Sequence, residues 1–426
     1  MKTLKHFNLI SIILSMTLLL SVCVSVSANQ PISVYLNNEK ISFDVDPIIV
    51  NDRAMVPMRA IFEKLGAEVS WDGTTSTATA YKDTIYVSIT IGASKMYKIA
   101  RPIQLDAPAM IVDGRTLIPL RAISEAFNCE VQWDANTRTV TIYSDDFVDF
   151  SKATDTQEEV KVSTAEQLLN SIGSNKKIIL TSNYYNLSTA QNVNNEHVEK
   201  QLNWDNTYFN AYVFKNVVNM TIEGNAEIVI DDINADVLHF ERCGNITLSG
   251  LTVGHTTYYE KYACEGAVTE FNICDSIYIN NCNLFGCGAI GISTNNVRNL
   301  QVNNSKIYEC SFTGMHLTKT TATIKNTEFF DSTHWGGFVM LSNSVADFDK
   351  CDIHDIKTGS NTGFSFIDIS DIYNSNETKA TFNNCNFYNN SFIDITNAKT
   401  KQLVFNNCEF KNNIGNTIHP AVINNN

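Results

Sequence analysis

The chain has 426 residues, and 44% of them are hydrophobic, which is enough apolar material for sizeable cores in more than one domain. Its 31 basic residues face 45 acidic ones, for a net charge of −14. That balance argues against nucleic acid or an anionic membrane surface as a partner.

Lys2 and Lys5 precede an apolar run from Leu9 to Val26, and small residues close the segment at Ala28. A basic start, an apolar middle and small residues before a cut describe a secretory signal over residues 1–28. The rival reading, a membrane anchor, suffers because the run is short and broken by serines. Cys23 follows Val22 where a lipobox needs a small residue. The expectation is a secreted or cell-surface protein of Gram-positive-type export, monomeric, with no membrane insertion after cleavage. Ten of the eleven cysteines lie beyond residue 28. An exported protein usually oxidises such thiols. Here several fall at one position of a repeat, where parallel side-chain vectors suit a disulfide poorly, so reduced, buried thiols are expected.

Residues 29–144 contain a duplication offset by 62. Arg53-Ala-Met-Val-Pro57-Met-Arg59-Ala60-Ile61 matches Arg115-Thr-Leu-Ile-Pro119-Leu-Arg121-Ala122-Ile123, and Val69-Ser-Trp71-Asp72 matches Val131-Gln-Trp133-Asp134. Each copy predicts a β-segment, a short helix after the proline (Arg59 to Leu65, Arg121 to Phe127) and two strands around a polar turn. The duplicated Trp is expected in the core under the helix. The duplicated Arg is expected on backbone or on the Asp after the Trp. These residues resemble the copper amine oxidase-like N-terminal domain, the stalk domain of secreted Gram-positive proteins. The resemblance implies a cell-surface or spacer module. It does not bring the activity with it. An Asn-Tyr-Asp/Glu quinone motif is missing, Asn183-Tyr184-Tyr185 being the nearest string, and residues 29–144 contain no His. Neither copper nor any other cofactor is expected.

Residues 145–162 are acidic and aperiodic and read as a linker. Ser163-Thr-Ala-Glu166 then reads as a capping box, with Leu168, Leu169 and Ile172 on one helix face and Gly173 as the stop. This helix is placed to cap the repeats on its C-terminal side. Clusters recur around Cys282, Ser305, Thr327, Cys351, Cys385 and Cys408, at steps of 23, 22, 24, 34 and 23 residues. A period in the low twenties, built of short β-segments with Asn/Gly turns, marks a solenoid. The six markers should form one interior file, and the Asn before each should form an amide ladder at a bend. Residues 163–426 resemble right-handed parallel β-helix proteins, the fold of many pectate lyases. The fold class is therefore mainly β: a small duplicated α+β domain at 29–144, then a right-handed parallel β-helix with an N-terminal capping helix.

Positions four past the marker read Gly286, Glu309, Asp331, Asp355, Asn389 and Asn412, with His255 one coil earlier. Glu309 and Asp331 would lie about 5 Å apart, near the spacing of a retaining glycosidase pair, and Glu309 and Asp355 about 10 Å apart. Glu309, Asp331 and His255 are the candidate catalytic groups, and their acids could also suit calcium. The bland alternative makes the acids ordinary turn residues. A second outward column reads Gly291, His316, Met340, Asp368 and Asp394. The insertion 254–266 overhangs these columns, and Tyr258, Tyr259 and Tyr262 are placed to stack on sugar rings or to pack over the coil edge. His316, His334 and Trp335 complete the candidate binding residues. The motifs of polygalacturonases fail here. Gly254-His255-Thr256 lacks the second Gly, and no Arg-Ile-Lys occurs. Two readings stay open: a surface protein whose β-helix binds cell-wall or host polysaccharide, and a polysaccharide lyase or glycoside hydrolase acting on acidic glycans.

Overall fold

The computed structural model describes residues 31–426 apart from 83–84, 145–146, 204–206, 257–265, 287–288, 335, 359–364, 371–377, 397–401, 417–422 and 425–426. The described chain forms two compact units that divide at residues 145/146.

In the first unit, each copy of the duplication gives the expected strand, helix and hairpin. Strands Arg53–Pro57 and Arg115–Pro119 lead into helices α1 (Met58–Lys64) and α2 (Arg121–Phe127). The two strands pair antiparallel, with Val56 opposite Ile118, so a local dyad relates the copies. Ile61, Phe62, Ile123 and Phe127 are buried around this axis, and the Phe62 and Phe127 rings meet edge to face at 4.7 Å. The tryptophans are not in this core. Trp71 and Trp133 are 42% and 39% exposed. Both stand on strands, Glu68–Asp72 and Glu130–Asp134, that form the edges of their sheets, and an edge position leaves an indole uncovered on one side. Of the two partners expected for the arginine, the backbone is met, Arg53 Nη1 donating to the Asp52 carbonyl at 3.2 Å and Arg115 Nη1 to the Gly114 carbonyl at 3.4 Å, and the Asp after the Trp is engaged elsewhere. Asp72 and Asp134 cap their own hairpin turns, each accepting a 2.8 Å hydrogen bond from a Thr hydroxyl (Thr75 and Thr137).

The second unit is a parallel β-helix. Its coils begin earlier than the sequence suggested. Glu158–Val162, inside the acidic stretch, is a strand paired in parallel with Lys176–Leu180. Its alternation places Val162 in the core and its acids outside, a pattern that acidic composition conceals. Helix α3 (Ala165–Ser171) buries Ala165, Leu168 and Leu169 against the first coil, as a cap should. Its N-cap is one residue later than expected. The Thr164 hydroxyl accepts from the Gln167 amide, and the Gln167 side chain reaches back to the Ser163 N–H.

The marker residues lie in register. Asn280, Asn303, Lys325, Asp349, Asn383 and Asn406 pair in sequence along one face, and Asn283, Lys306, Glu328, Asp352, Asn386 and Glu409 pair along the next. Cys282, Ser305, Thr327, Cys351, Cys385 and Cys408 therefore form one file between them. The five from Cys282 to Cys385 are buried, and all described cysteines carry free thiols. Phenylalanines stack inside the later coils, Phe348 on Phe382 at 4.5 Å and Phe382 on Phe405 at 5.2 Å. The Asn preceding five of the six markers, Lys350 standing before Cys351, has a backbone reason as well as a side-chain one. Asn281, Asn304, Asn326, Asn384 and Asn407 all have φ between 49° and 54°, the left-handed region that Asn tolerates best after Gly. Side-chain hydrogen bonds run along the corner, Asn326 Nδ2 donating to Asn304 Oδ1, and one residue earlier Asn303 Nδ2 to Asn280 Oδ1 and Asn406 Nδ2 to Asn383 Oδ1.

Candidate active site

The corner four residues past the marker is a second left-handed turn. Gly286, Glu309, Asp331, Asp355, Asn389 and Asn412 have φ of 98°, 58°, 45°, 52°, 56° and 54°. Glu309 and Asp331 are thus neighbours on successive coils, as their spacing implied, and both serve a bend that selects Asn, Asp and Gly. Asp331 is exposed and Glu309 half-buried. Asp355 lies on the next coil, its Oδ2 2.7 Å from His354 Nδ1. His255 does fall in this column, facing Gly286. It does not point outward. It is 4% exposed, and its Nε2–H donates to the Ala235 carbonyl at 2.9 Å, so the imidazole is turned into the protein. Burial lowers its pKa, with that hydrogen bond opposing. Tyr258, Tyr259, Tyr262 and Trp335 lie outside the described residues, and His334 is placed only by its strand, which pairs with Lys357–Thr358.

A different row gathers more chemistry. On the third face of the β-helix, His239, Glu270, Ser293, His316, Met340 and Asp368 are partners on six successive strands. Successive members stand about 4.8 Å apart. The row contains His316, Met340 and Asp368 as the sequence proposed, but Ser293 takes the place given to Gly291. Asp394 lies off the row, because Ile367 pairs with Thr396. Gly291 stands two residues before the row, on the same alternation, and is buried; Ser293 follows Gly286 by the same seven residues as His316 follows Glu309. The link from the second corner lengthens only in later coils, to nine residues from Asp331 to Met340 and thirteen from Asp355 to Asp368, and counting from the marker loses register there. His239 and Glu270 escaped notice because the long insertion interrupts the repeat between their strands. The signal was the alternation beside Phe240 and Phe271, whose buried rings stack at 5.2 Å and turn the preceding residue outward.

The members interact. Asp236 Oδ2 stands 2.9 Å from His239 Nδ1, although off the line of a good hydrogen bond. Asn272 Nδ2 donates to His239 Nε2 at 3.2 Å. Burial pushes the Glu270 carboxyl above the ordinary carboxylate range, hydrogen bonds from Ser293 and Asn272 oppose this, and the Asp236 charge adds to it. Burial pushes the His316 imidazole down, against the attraction of Asp368. Asp368 is 6% exposed and accepts from the Ser365 N–H at 3.2 Å. The row thus holds a carboxyl biased toward its protonated form two rungs, or about 10 Å of backbone, from an imidazole biased toward its neutral form. The Ser293 hydroxyl sits between them. One group can give a proton and the other take one. Among the described residues no three His, Cys, Asp or Glu side chains are grouped to hold a metal ion.

Fold and site together define a duplicated α+β unit joined to a parallel β-helix with a polar, ionisable outer row. Residues 35–142 match the family model described as the copper amine oxidase N-terminal domain, and residues 266–425 match that of the right handed beta helix region. No curated protein matches. Among solved structures, pectate lyase Pel9A is similar at 11% identity, over 63% of this chain and 80% of its own, with a TM-score of 0.39. An alginate lyase from Paenibacillus sp. shares 11% over 62% of this chain and 98% of its own, with a TM-score of 0.36. PfbA, a surface adhesin of Streptococcus pneumoniae, shares 10% over 61% and 75%, with a TM-score of 0.30. No helix of the described residues is long and apolar enough to cross a membrane.

Proposed function

We propose that the β-helix unit lays a polysaccharide along the row from His239 to Asp368 and cleaves it by proton transfer between Glu270 and His316. The observation that carries this reading is the pairing of a raised carboxyl with a lowered imidazole, two rungs apart on one rigid face. A row that crosses six coils suits an extended polymer better than a small molecule, and its pitch is close to the length of one sugar unit. Glu270 protonates the departing glycosidic oxygen. His316 takes the balancing proton, from water in a hydrolase or from the sugar carbon beside a carboxylate in a lyase. Export to the cell surface, drawn from residues 1–28, belongs to the same proposal. The test is a panel of uronate polymers, pectins and neutral glycans assayed for new reducing ends and for unsaturated products. Glu270→Gln and His316→Ala should each abolish turnover while binding persists. Full turnover in either variant refutes the assignment.

A further inference from the structure

We infer that the N-terminal unit carries two equivalent glycan-binding grooves, one built around each tryptophan of its duplication, for uncharged sugar units of a polysaccharide.

The first groove is an open depression of about 700 Å³. Trp71 and Ile111, 42% and 49% exposed, both line it. Helix α1 contributes Arg59 and Glu63, whose charged groups stand 3.9 Å apart. Arg115 donates through Nε to Asp44 at 2.6 Å and completes the lining. The groove draws on both copies of the repeat: Trp71, Arg59, Glu63 and Asp44 come from the first, Ile111 and Arg115 from the second.

The local dyad between Arg53–Pro57 and Arg115–Pro119 makes a twin of this arrangement. Counting 62 residues along, Trp133, Arg121, Glu125 and Asp106 come from the second copy, and Ile49 and Arg53 from the first. The equivalence extends to exposure and to the cross-copy Arg–Asp pair, while the helix arginine differs: Arg121 stands against Asp106 where Arg59 stands against Glu63. Trp133 and Ile49 are each 39% exposed. Asp106 lies 3.0 Å from Arg121 and 3.8 Å from Arg53. A single exposed indole needs no explanation. Two, with an exposed isoleucine and a cross-copy Arg–Asp pair at equivalent positions of the duplication, repeat a site.

Charge selects the ligand class. Each groove holds two arginines and two carboxylates, so its net charge is zero. A phosphate or uronate gains little there. A neutral sugar meets an aromatic wall for its C–H face and fixed donors and acceptors for its hydroxyls. Two such sites on one unit give a repeating polymer an avidity that a short oligosaccharide lacks. These grooves are separate from the Glu270 row and act without it.

The experiment uses the full chain, with Trp71→Ala, Trp133→Ala and the double variant. Arg59→Ala with Arg121→Ala forms a second pair that alters the grooves from the helix side. Binding is read by calorimetry and tryptophan fluorescence against cello-, xylo- and manno-oligosaccharides and their polymers, with polygalacturonate as the acidic control. Relative to the wild type, each single variant should lose one oligosaccharide site per chain and the double variant two, with any binding at the β-helix row common to all. Polymer affinity should fall about tenfold or more for each single and about a hundredfold or more for the double. The inference fails if no neutral glycan quenches the wild type, if polygalacturonate is the tighter ligand at these sites, or if a folded double variant binds as the wild type does. It also fails if the substitutions instead convert a dimer to a monomer, since the occupant is then a second copy of the chain.

Discussion

Replacing Asp331 with glycine separates a corner residue from a catalytic one. Asp331 is exposed with φ of 45°, and the same corner carries glycine at Gly286 with φ of 98°. An L-residue in the left-handed region costs roughly 1–2 kcal/mol, less for Asp, which tolerates it better. Glycine removes that cost but gives the unfolded chain about 0.5–1 kcal/mol of extra freedom. The two nearly offset, so Asp331→Gly should change stability by between zero and about 1 kcal/mol in the favourable direction. In a unit of this size that is at most about 2–4 °C in melting temperature. Asp331→Val supplies the contrast. A β-branched residue is a strained outlier at this φ, so the melting temperature should fall. Calorimetry of both variants beside polysaccharide turnover checks the reasoning. If glycine destabilises the β-helix by well over about 1 kcal/mol, or removes turnover from a folded protein, Asp331 contributes a side chain that the corner account lacks.

Phe382→Ala removes a fully buried ring stacked between Phe348 and Phe405 and should cost about 3–5 kcal/mol in chemical denaturation. Glu270 should act in the opposite sense. Its folded pKa is raised, so the folded state holds the proton longer, and stability should fall as pH rises from the ordinary carboxylate value through the raised one. Glu270→Gln should therefore melt higher than the wild type above that range and no higher below it; equal melting at all pH values contradicts the burial argument. Burial pushes the Cys310 thiol up to about 12, and hydrogen bonding with Cys351 together with burial takes Cys385 to about 12 as well. Alkylation mapped by mass spectrometry should spare both in the native protein and label both in denaturant.

The interior of the β-helix was legible in the sequence because the marker file and its left-handed corner recur at nearly constant steps. Asn281, Asn304 and Asn326 announce a backbone conformation that few other residues accept. The outer row was only half legible. His316, Met340 and Asp368 follow from alternation along their own strands. Gly291 shares the alternation of Ser293 two residues on, and periodicity alone does not separate the two. The links between the second corner and this face lengthen in the later coils, which moves Asp394 off the row. His255 shows the same limit for direction: its column was right, but a rotation into the protein toward the Ala235 carbonyl has no signature in spacing. The tryptophans of the first unit misled for a related reason. A repeated large apolar residue reads as core, and only pairing tells that Glu68–Asp72 and Glu130–Asp134 are edge strands.

The most direct test of the account is the pH profile of polysaccharide turnover by the wild type, Glu270→Gln and His316→Ala. Deprotonated His316 sets the acid limb, below the ordinary imidazole value of 6.5. Protonated Glu270 sets the alkaline limb, above the ordinary carboxyl value of 4.5. The account predicts a bell-shaped profile in the wild type and loss of turnover in both variants, with bound polymer retained. A profile unchanged by either substitution, or turnover that follows Glu309 and Asp331 instead, contradicts it.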